Sequence, residues 1–446
     1  MLRLLIASSF LLIHQTVVHA ADTFFLKDGQ RVVFLGDSNT FAGHYIAYLD
    51  AYLYTRFPDK KFELLNLGLP SETVSGLSEP DHPYPRPCVF DRLDRALEKS
   101  KPDIVVACYG MNDGIYHPFS EERFKKYQVG IQLLITRVEK AKAKIVLMTP
   151  PPFEGPAIKD KLLPKTAEKF SWLRPYEEYD SVLGRYSEWL LTLRDNGYLV
   201  VDVHGAINKH LETVHADDAK YLLTGDGIHP GGTGHWLITQ QILQAWKAPK
   251  DVDLVEINAE TGKTIRGKVS DLKIGRDDVR FTWLSKVPMP YDPSWDGKLA
   301  ERERIAEHLN RYRFTIAGMA GDRFELLEGK ETLGRDDFSR KQLAEGLDLL
   351  TLKDLSTNRR SAELWKLVAE RQRLLGLAWL TDVGHKRPDT PKGISLEEAQ
   401  KKAAELEKQI RKLAEPAKIT LTLHFLNVGK QPASQAARSA REVCPR

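Results

Sequence analysis

The 446-residue chain has little cysteine, little net charge and no long apolar run after its N-terminus. Three cysteines, an odd number, are too few for a disulfide framework, so a hydrophobic core must hold the fold. The 65 basic and 61 acidic residues leave a net charge of only +4, which gives no indication of a nucleic-acid partner. Because no later stretch approaches about 20 consecutive apolar residues, we expect no membrane span in the mature chain.

The N-terminus has the pattern of a secretory signal peptide. A charged start at 1–3 precedes a short apolar run at 4–13, and small residues stand around position 20. We therefore expect residues 1–20 to be removed and the mature protein to be periplasmic or secreted; an uncleaved N-terminal anchor is the alternative. Export would permit a bridge between Cys88 and Cys108, although their spacing does not indicate one and Cys108 lies in an apolar run.

The first half of the chain alternates short apolar runs with amphipathic stretches. Compact apolar runs are typical of parallel strands that are buried on both faces, and the amphipathic stretches between them are typical of helices. The pattern predicts an α/β domain at 22–250 with a parallel sheet between two helical layers. The runs lie at 31–36, 62–68, 103–110, 143–150 and 198–203.

The pattern changes after residue 250. Apolar and polar residues alternate around Gly and Asp turns at 254–285 and 311–333, which predicts short antiparallel strands. Two long helices are predicted at 361–380 and 395–417, followed by a strand at 419–428. We expect a β-rich and then helical second domain at 251–430 and a flexible tail at 431–446.

Polar turns follow the apolar runs of the first domain, and the carboxyl ends of parallel strands share one edge of a sheet. The turn at 36–40 places the hydroxyl of Ser38 at the start of a predicted helix. In the turn at 226–230, a three-residue spacing lets the carboxylate of Asp226 hold the imidazole of His229 as a base. Gly68 and Asn112 could each donate a hydrogen bond to an oxyanion. Each turn alone could be structural, but together they supply a complete set for nucleophilic catalysis.

These four turns resemble the four sequence blocks of the SGNH/GDSL hydrolase family, over about 31–246. The resemblance implies a flavodoxin-like three-layer sandwich, a catalytic triad of Ser38, His229 and Asp226, and an oxyanion hole formed by Ser38, Gly68 and Asn112. The sequence departs from the usual family blocks at two places. The first block reads GDSN instead of GDSL, and Ser71 stands where many members have a further glycine; we expect neither position to touch a catalytic atom.

Three loops rich in proline and aromatic residues are predicted to surround the same edge of the sheet. They are the proline-rich loop at 78–90 and two shorter loops at 116–119 and 150–153. Proline would lower the ordering cost of binding, so we expect a rigid cleft with aromatic walls; the alternative is that the prolines only cover the sheet edge. The candidate substrate-binding residues are His82, Tyr84, Arg86, Tyr116, Phe119 and Phe153.

The other histidines have no spacing typical of a metal site, and we expect neither a metal nor a cofactor. We place His204 and His210 on a surface loop after the fifth apolar run. Asp37 and Asp113 are interpreted as residues that brace their turns.

The sequence thus predicts an exported serine esterase that cleaves a short-chain ester, with an acetylated carbohydrate as the preferred substrate and a small-molecule ester as the alternative. No insertion in 22–250 is long and apolar enough to bury a fatty chain. Three other functions stay open at this point. They are a lipase or lysophospholipase, an O-acyltransferase with the same triad, and a surface carbohydrate-binding protein without catalysis.

Overall fold

The computed structural model describes residues 24–334, 337–390 and 392–426. The predicted signal peptide at 1–20 and the predicted tail at 431–446 lie outside these ranges. Within them, no helix combines the length and the apolar character that a membrane span requires.

A five-stranded parallel sheet forms the centre of the first half of the chain. Its strands are β1 (Arg31–Gly36), β2 (Glu63–Asn66), β3 (Ile104–Cys108), β4 (Lys144–Met148) and β5 (Leu199–Val201). Their order is β2-β1-β3-β4-β5, and every neighbouring pair is parallel. All five strands were predicted from the apolar runs, and the flavodoxin-like α/β architecture is confirmed.

Both faces of this sheet are buried, which explains why its strands are apolar throughout. The helices of this half are α1 (Ser38–Ala42), α2 (His44–Arg56), α3 (Leu93–Ser100), α4 (Glu121–Lys140), α5 (Tyr179–Thr192), α6 (Val203–Asp217) and α7 (Gly232–Ala245). On β1, Val33 and Leu35 enter one hydrophobic cluster with α3, α4 and α5, while Val32 and Phe34 enter a second cluster with α2, α6 and α7. The sheet therefore lies between two helical layers.

Helix α6 corrects one expectation from the sequence. His204 and His210 belong to this helix and not to a surface loop. His210 is buried and its Nδ1 lies 2.6 Å from a carboxylate oxygen of Glu303, and His204 Nε2 lies 3.1 Å from a carboxylate oxygen of Asp180. Both histidines therefore join elements that are distant in sequence, which no local pattern could indicate.

Two smaller sheets share a separate core in the second half. The strands are β6 (Asp251–Asn258), β7 (Lys263–Arg266), β8 (Val269–Ile274), β9 (Asp278–Ser285), β10 (Arg311–Ala317), β11 (Arg323–Glu328), β12 (Glu331–Thr332), β13 (Phe338–Ser339), β14 (Leu347–Asp348) and β15 (Ala417–Phe425). One sheet has the order β14-β10-β6-β7 and the other β12-β11-β15-β9-β8, with β13 beside β11. The predicted antiparallel pairing is confirmed except between β6 and β10, which are parallel.

The helices of the second half do not all stay with these sheets. They are α8 (Leu299–Arg302), α9 (Ile305–His308), α10 (Arg340–Glu345), α11 (Ser356–Val383) and α12 (Leu396–Ala414). Leu364 and Val368 of α11 pack with Ala47 and Ala51 of α2, and Trp379 enters the core beside the five-stranded sheet. The sheets begin near the predicted boundary at residue 250, but α11 and α12 return to cover the first domain.

This packing predicts the effect of truncating a buried side chain in α11. Leu364 is fully buried, so Leu364→Ala should lower the free energy of unfolding by about 2–5 kcal/mol through lost burial and an unfilled cavity. Glu363→Ala is the matched control because Glu363 is exposed on the same helix turn. Urea unfolding followed by tryptophan fluorescence measures both variants. Equal unfolding midpoints for the two would contradict the packing of α11 against α2.

Candidate active site

Ser38 lies at the point where β1 turns sharply into α1. The turn admits only glycine at position 36, because a Cβ there would lie 2.2 Å from Thr40 Oγ1 and 2.8 Å from the carbonyl oxygen of Cys108. Asp37 caps the helix, and its Oδ1 accepts a hydrogen bond from the N–H of Asn39 at 3.0 Å. The local sequence therefore presents the Ser38 hydroxyl at the carboxyl edge of the sheet.

A continuous chain of hydrogen bonds connects three of the predicted site residues. The hydroxyl of Ser38 donates to Nε2 of His229 at 2.7 Å, and Nδ1 of His229 donates to Oδ2 of Asp226 at 2.6 Å. The other carboxylate oxygen of Asp226 accepts the backbone N–H groups of Ile228 and His229 at 3.0 and 2.8 Å. These contacts fix the carboxylate, which in turn fixes the imidazole with Nε2 facing the serine.

The electrostatics of the pair suit a base. Burial alone would lower the pKa of His229, but the hydrogen bond and charge of Asp226, with a smaller effect of Asp37, raise it above its ordinary value. Burial would raise the pKa of Asp226, but hydrogen bonds from His229 and from the Ile228 N–H hold it far below its ordinary range. The side chains of His229 and Asp226 are 46% and 54% exposed, so an ester can reach them from solvent.

Asn112 is held by its carbonyl group. It is buried, and its Oδ1 accepts hydrogen bonds from Arg86 Nη1 and from the Tyr116 hydroxyl, both at 3.0 Å. Its amide nitrogen makes one long contact, 3.4 Å, to the carbonyl oxygen of Glu72. Because the two donors fix which end of the amide is the oxygen, the amide nitrogen keeps a hydrogen to donate.

Three of the predicted substrate contacts are wrong because the side chains are buried. Arg86 forms a two-point ion pair with Glu79 at 2.6 and 2.7 Å, and these side chains are 2% and 0% exposed. Tyr116 and Phe153 are buried as well and pack against the ring of Tyr179. Arg86 and Tyr116 thus position Asn112, and Phe153 belongs to the core.

The other three candidate contacts differ among themselves. Phe119 is half-buried, with the guanidinium of Arg185 4.3 Å from its ring centre. His82 and Tyr84 are also half-buried, but they lie on the proline-rich loop near Ser71, whose Oγ is 3.3 Å from His82 Nε2. His82, Tyr84 and Phe119 therefore keep partly exposed side chains, and their contact with substrate stays a prediction.

The oxyanion donors differ from the expectation at one position. The N–H of Gly68 donates to Asn66 Oδ1 at 2.9 Å, so Gly68 offers no free donor. Its role is close packing, since a Cβ there would lie 2.2 Å from the backbone nitrogen of Phe41. Ser71 has a φ of 68°, and among the described residues no group accepts a hydrogen bond from its N–H. The sequence contained an indication of this backbone conformation, because Ser71 stands where many family members have glycine, the residue that adopts a positive φ most easily.

Two buried carboxyl groups lie behind the site. The carboxylate of Asp113 accepts the N–H groups of Val74 and Ser75, both at 2.9 Å, as expected for a residue that braces its turn. Burial raises the pKa of Asp37 to about 7 and that of Asp113 to about 6. Burial thus brings the pKa of each carboxyl group closer to physiological pH than that of an ordinary aspartate.

Within the described ranges, the cysteines form no bridge and the possible metal ligands form no cluster. Cys88 and Cys108 are both free. In the same part of the chain, no group of three or more His, Cys, Asp or Glu side chains is arranged to hold a metal ion.

A cavity of about 570 Å³ lies beside α1, between the start of α2 and helix α11. Phe41, Asn66 and Gly68 line one side, and Trp365 and Gly376 of α11 line the other. Ser38, His229 and Asp226 are not among its lining residues. The cavity therefore lies next to the hydrogen bonds that join Ser38, His229 and Asp226, and these three side chains do not line it.

Comparison with known proteins identifies the family. A family model described as the GDSL-like lipase/acylhydrolase family matches residues 34–237. No curated protein matches the sequence. Among solved structures, a gut microbial diltiazem-metabolizing enzyme is 18% identical, with 91% of this chain and 99% of that chain covered and a TM-score of 0.71. An acetylxylan esterase from Geobacillus stearothermophilus is 22% identical, with 50% and 97% covered and a TM-score of 0.37.

At these identities the likeness concerns the fold. The first similarity extends over both halves of the chain, so the combination of a five-stranded α/β sandwich with the additional sheets and helices occurs in another protein. Residues 34–237 therefore form a GDSL-like lipase/acylhydrolase domain, and through this domain the protein is an ester-bond hydrolase.

Proposed function

We propose that this hydrolase forms an acyl-enzyme at Ser38, with His229 as the general base and Asp226 as the residue that orients it. The observation that carries the proposal is the continuous hydrogen-bonded chain from Ser38 through His229 to Asp226. The charge states suit these roles. The low pKa of Asp226 keeps its carboxylate ionised, and Nε2 of His229 is unprotonated beside the Ser38 hydroxyl and can accept its proton.

The proposed reaction follows from this geometry. His229 Nε2 takes the hydroxyl proton as Ser38 Oγ bonds to the ester carbonyl carbon. The resulting oxyanion is stabilised by the N–H groups of Ser38 and Ser71 and by the amide nitrogen of Asn112. His229 then gives the proton to the leaving alcohol, and a water molecule activated by the same imidazole releases the acid and restores Ser38.

We infer a short-chain ester, with an acetylated carbohydrate as the preferred substrate. The open position of His229 and Asp226 supports a large polar alcohol, and among the described residues no long apolar segment covers them. His82 and Tyr84 are half-buried side chains of the proline-rich loop, and we infer that their exposed edges contact a sugar ring. We also infer that the protein is exported, because of the signal-peptide pattern at 1–20.

One observation favours a lipase as the second candidate. Trp172 and Leu173 lie at the tip of a tight turn closed by Ser171 and Arg174, and they are 38% and 50% exposed. The N–H of Trp172 donates to Glu79, the ion-pair partner of Arg86, at 3.3 Å. Two exposed apolar side chains this near to the site could contact an acyl chain or a lipid surface.

The first prediction concerns the nucleophile. Ser38→Ala should abolish covalent labelling by a fluorophosphonate probe and lower ester turnover by at least about a thousandfold, because no acyl-enzyme can form. Ser181→Ala is the control, since Ser181 is exposed on α5 and its hydroxyl contacts only a backbone carbonyl. Mass spectrometry of the labelled peptide identifies the site. Labelling that persists in Ser38→Ala would disprove the assignment.

The second prediction concerns pH. The protonated imidazole cannot accept the Ser38 proton, so kcat/KM should rise with pH through the His229 pKa, which lies above its ordinary value of about 6.5. Asp226→Asn removes the charge that raises this pKa, so the midpoint should move to lower pH while kcat falls at least about tenfold. Asp94→Asn, an exposed charge change on α3, should leave the profile unchanged. An unshifted midpoint in Asp226→Asn would refute the role of Asp226.

The third prediction concerns the acyl group. In a series of p-nitrophenyl esters, kcat/KM should fall steeply beyond about four carbons, because a closed acyl pocket has no room for additional methylene groups and gains nothing from them. Acetylated xylan and other acetylated glycans should be deacetylated in parallel assays. A preference for octanoate or longer esters that is lost in Trp172→Ala would overturn the carbohydrate proposal in favour of the lipase.

A further inference from the structure

The segment that follows α11 reaches from the second half of the chain to the active-site loop. Its residues 384–390 contact the middle and the end of the proline-rich segment at 78–91. Lys386 Nζ pairs with Asp91 at 2.9 Å, and the Tyr84 hydroxyl donates to Asp389 Oδ1 at 2.9 Å. The end of α11 is held as well, because Lys99 of α3 pairs with Asp382 at 2.7 Å. The segment is therefore fixed over the rim of the site.

Arg387 makes the innermost contacts of this segment. Its Nη1 donates to Ser71 Oγ at 2.8 Å and to the carbonyl oxygen of Pro70 at 2.9 Å. Its Nε pairs with Asp389 at 2.9 Å, and its guanidinium lies 5.3 Å from the centre of the Tyr84 ring. The side chain is only 17% exposed. Its hydrogen-bonding groups are thus directed at the protein, and above all at the 70–71 turn.

The turn that Arg387 holds is strained and lies inside the catalytic region. Ser71 has a φ of 68°, a left-handed backbone that residues other than glycine rarely adopt without external support. The turn begins where Leu69 N–H donates to the carbonyl oxygen of Gly36 at 2.9 Å, two residues before Ser38. It ends where the carbonyl oxygen of Glu72 contacts the Asn112 amide at 3.4 Å. The turn that carries Ser71 is therefore bonded on one side to the strand that precedes Ser38 and on the other side to Asn112, and these two residues are the other proposed oxyanion donors.

We propose that Arg387 is a positioning residue for ester hydrolysis, which holds the Ser71 turn in its left-handed conformation so that the Ser71 N–H can bind the oxyanion. The proposal rests on the acyl-enzyme mechanism above. It gives residues 384–390 a catalytic purpose, because a chain without them would contain the Ser38, His229 and Asp226 side chains but would lack the support of the third oxyanion donor.

The chemistry of glycine supplies the test. Glycine adopts a φ near 68° at no steric cost, so Ser71→Gly makes the turn independent of an external brace. Arg387→Ala in the wild-type background should lower kcat for p-nitrophenyl acetate about tenfold with KM unchanged, since the oxyanion forms only along the reaction path. In the Ser71→Gly background, the same Arg387→Ala change should lower kcat by less than about threefold. Such non-additivity measures the coupling between the two residues.

Controls separate this role from simple loop stability. Lys386→Ala removes an exposed ion pair of the same segment and should leave kcat within about twofold. Arg387→Lys keeps a cation that can reach one acceptor and should lose less kcat than Arg387→Ala. Thermal unfolding of every variant shows whether the fold is intact. If Arg387→Ala is unfolded, Arg387→Lys can replace it in the double-mutant comparison, with kcat measured in the wild-type and Ser71→Gly backgrounds.

The outcomes are distinguishable. Equal fold losses of kcat from the Arg387 change in both backgrounds would overturn the proposal, and so would an effect on KM alone, which would make Arg387 a substrate contact. Failure of the acyl-enzyme mechanism itself would appear differently, as an absence of fluorophosphonate labelling at Ser38 in the wild-type protein.

Discussion

The buried ion pair between Arg86 and Glu79 is the constraint on which the shape of the site depends. A guanidinium and a carboxylate removed from water must stay together, because either one alone would be an uncompensated buried charge. This pair closes the proline-rich loop on itself, and Nη1 of Arg86 connects the loop to the Asn112 amide oxygen. The Trp172 N–H contacts the same carboxylate. The prolines that flank Arg86 serve this arrangement, since they leave the loop fewer conformations to lose when the pair forms.

A second constraint connects the two halves of the chain. Asp50 of α2 is buried, and its Oδ2 accepts hydrogen bonds from Gln372 at 2.6 Å and from Arg371 at 3.2 Å, both on α11. Burial raises the pKa of Asp50, and Arg371 opposes that rise. Without α11, this carboxylate would lack its partners and the apolar face of α2 would meet water. Residues 356–414 are therefore a structural layer of the hydrolase domain, although the β strands on either side of them form a separate unit.

The proposed reactive groups lie at the surface, and the groups proposed to position them are buried. His229 and Asp226 are half exposed, whereas Asn112, Arg86 and Asp37 are almost inaccessible. This division suits an enzyme whose substrate must approach from solvent while its donors keep one geometry. It also explains why the proline-rich loops do not form an aromatic wall. Their large side chains, such as Tyr116 and Phe153, support the site from behind.

The sequence by itself determined the features that depend on neighbouring residues. Apolar runs indicated the five parallel strands. The strand-to-helix turn and the three-residue spacing singled out Ser38, Asp226 and His229, which the structure joins by hydrogen bonds, because each is a local geometry. Only the tertiary structure decided which polar side chains face inward. Arg86 and His210 have partners, Asn112 and Glu303, that packing selects and that no local pattern indicates. The same holds for Arg387, which meets Ser71 across 316 positions of sequence. A contact between residues so far apart exists only once α11 has packed beside the sheet.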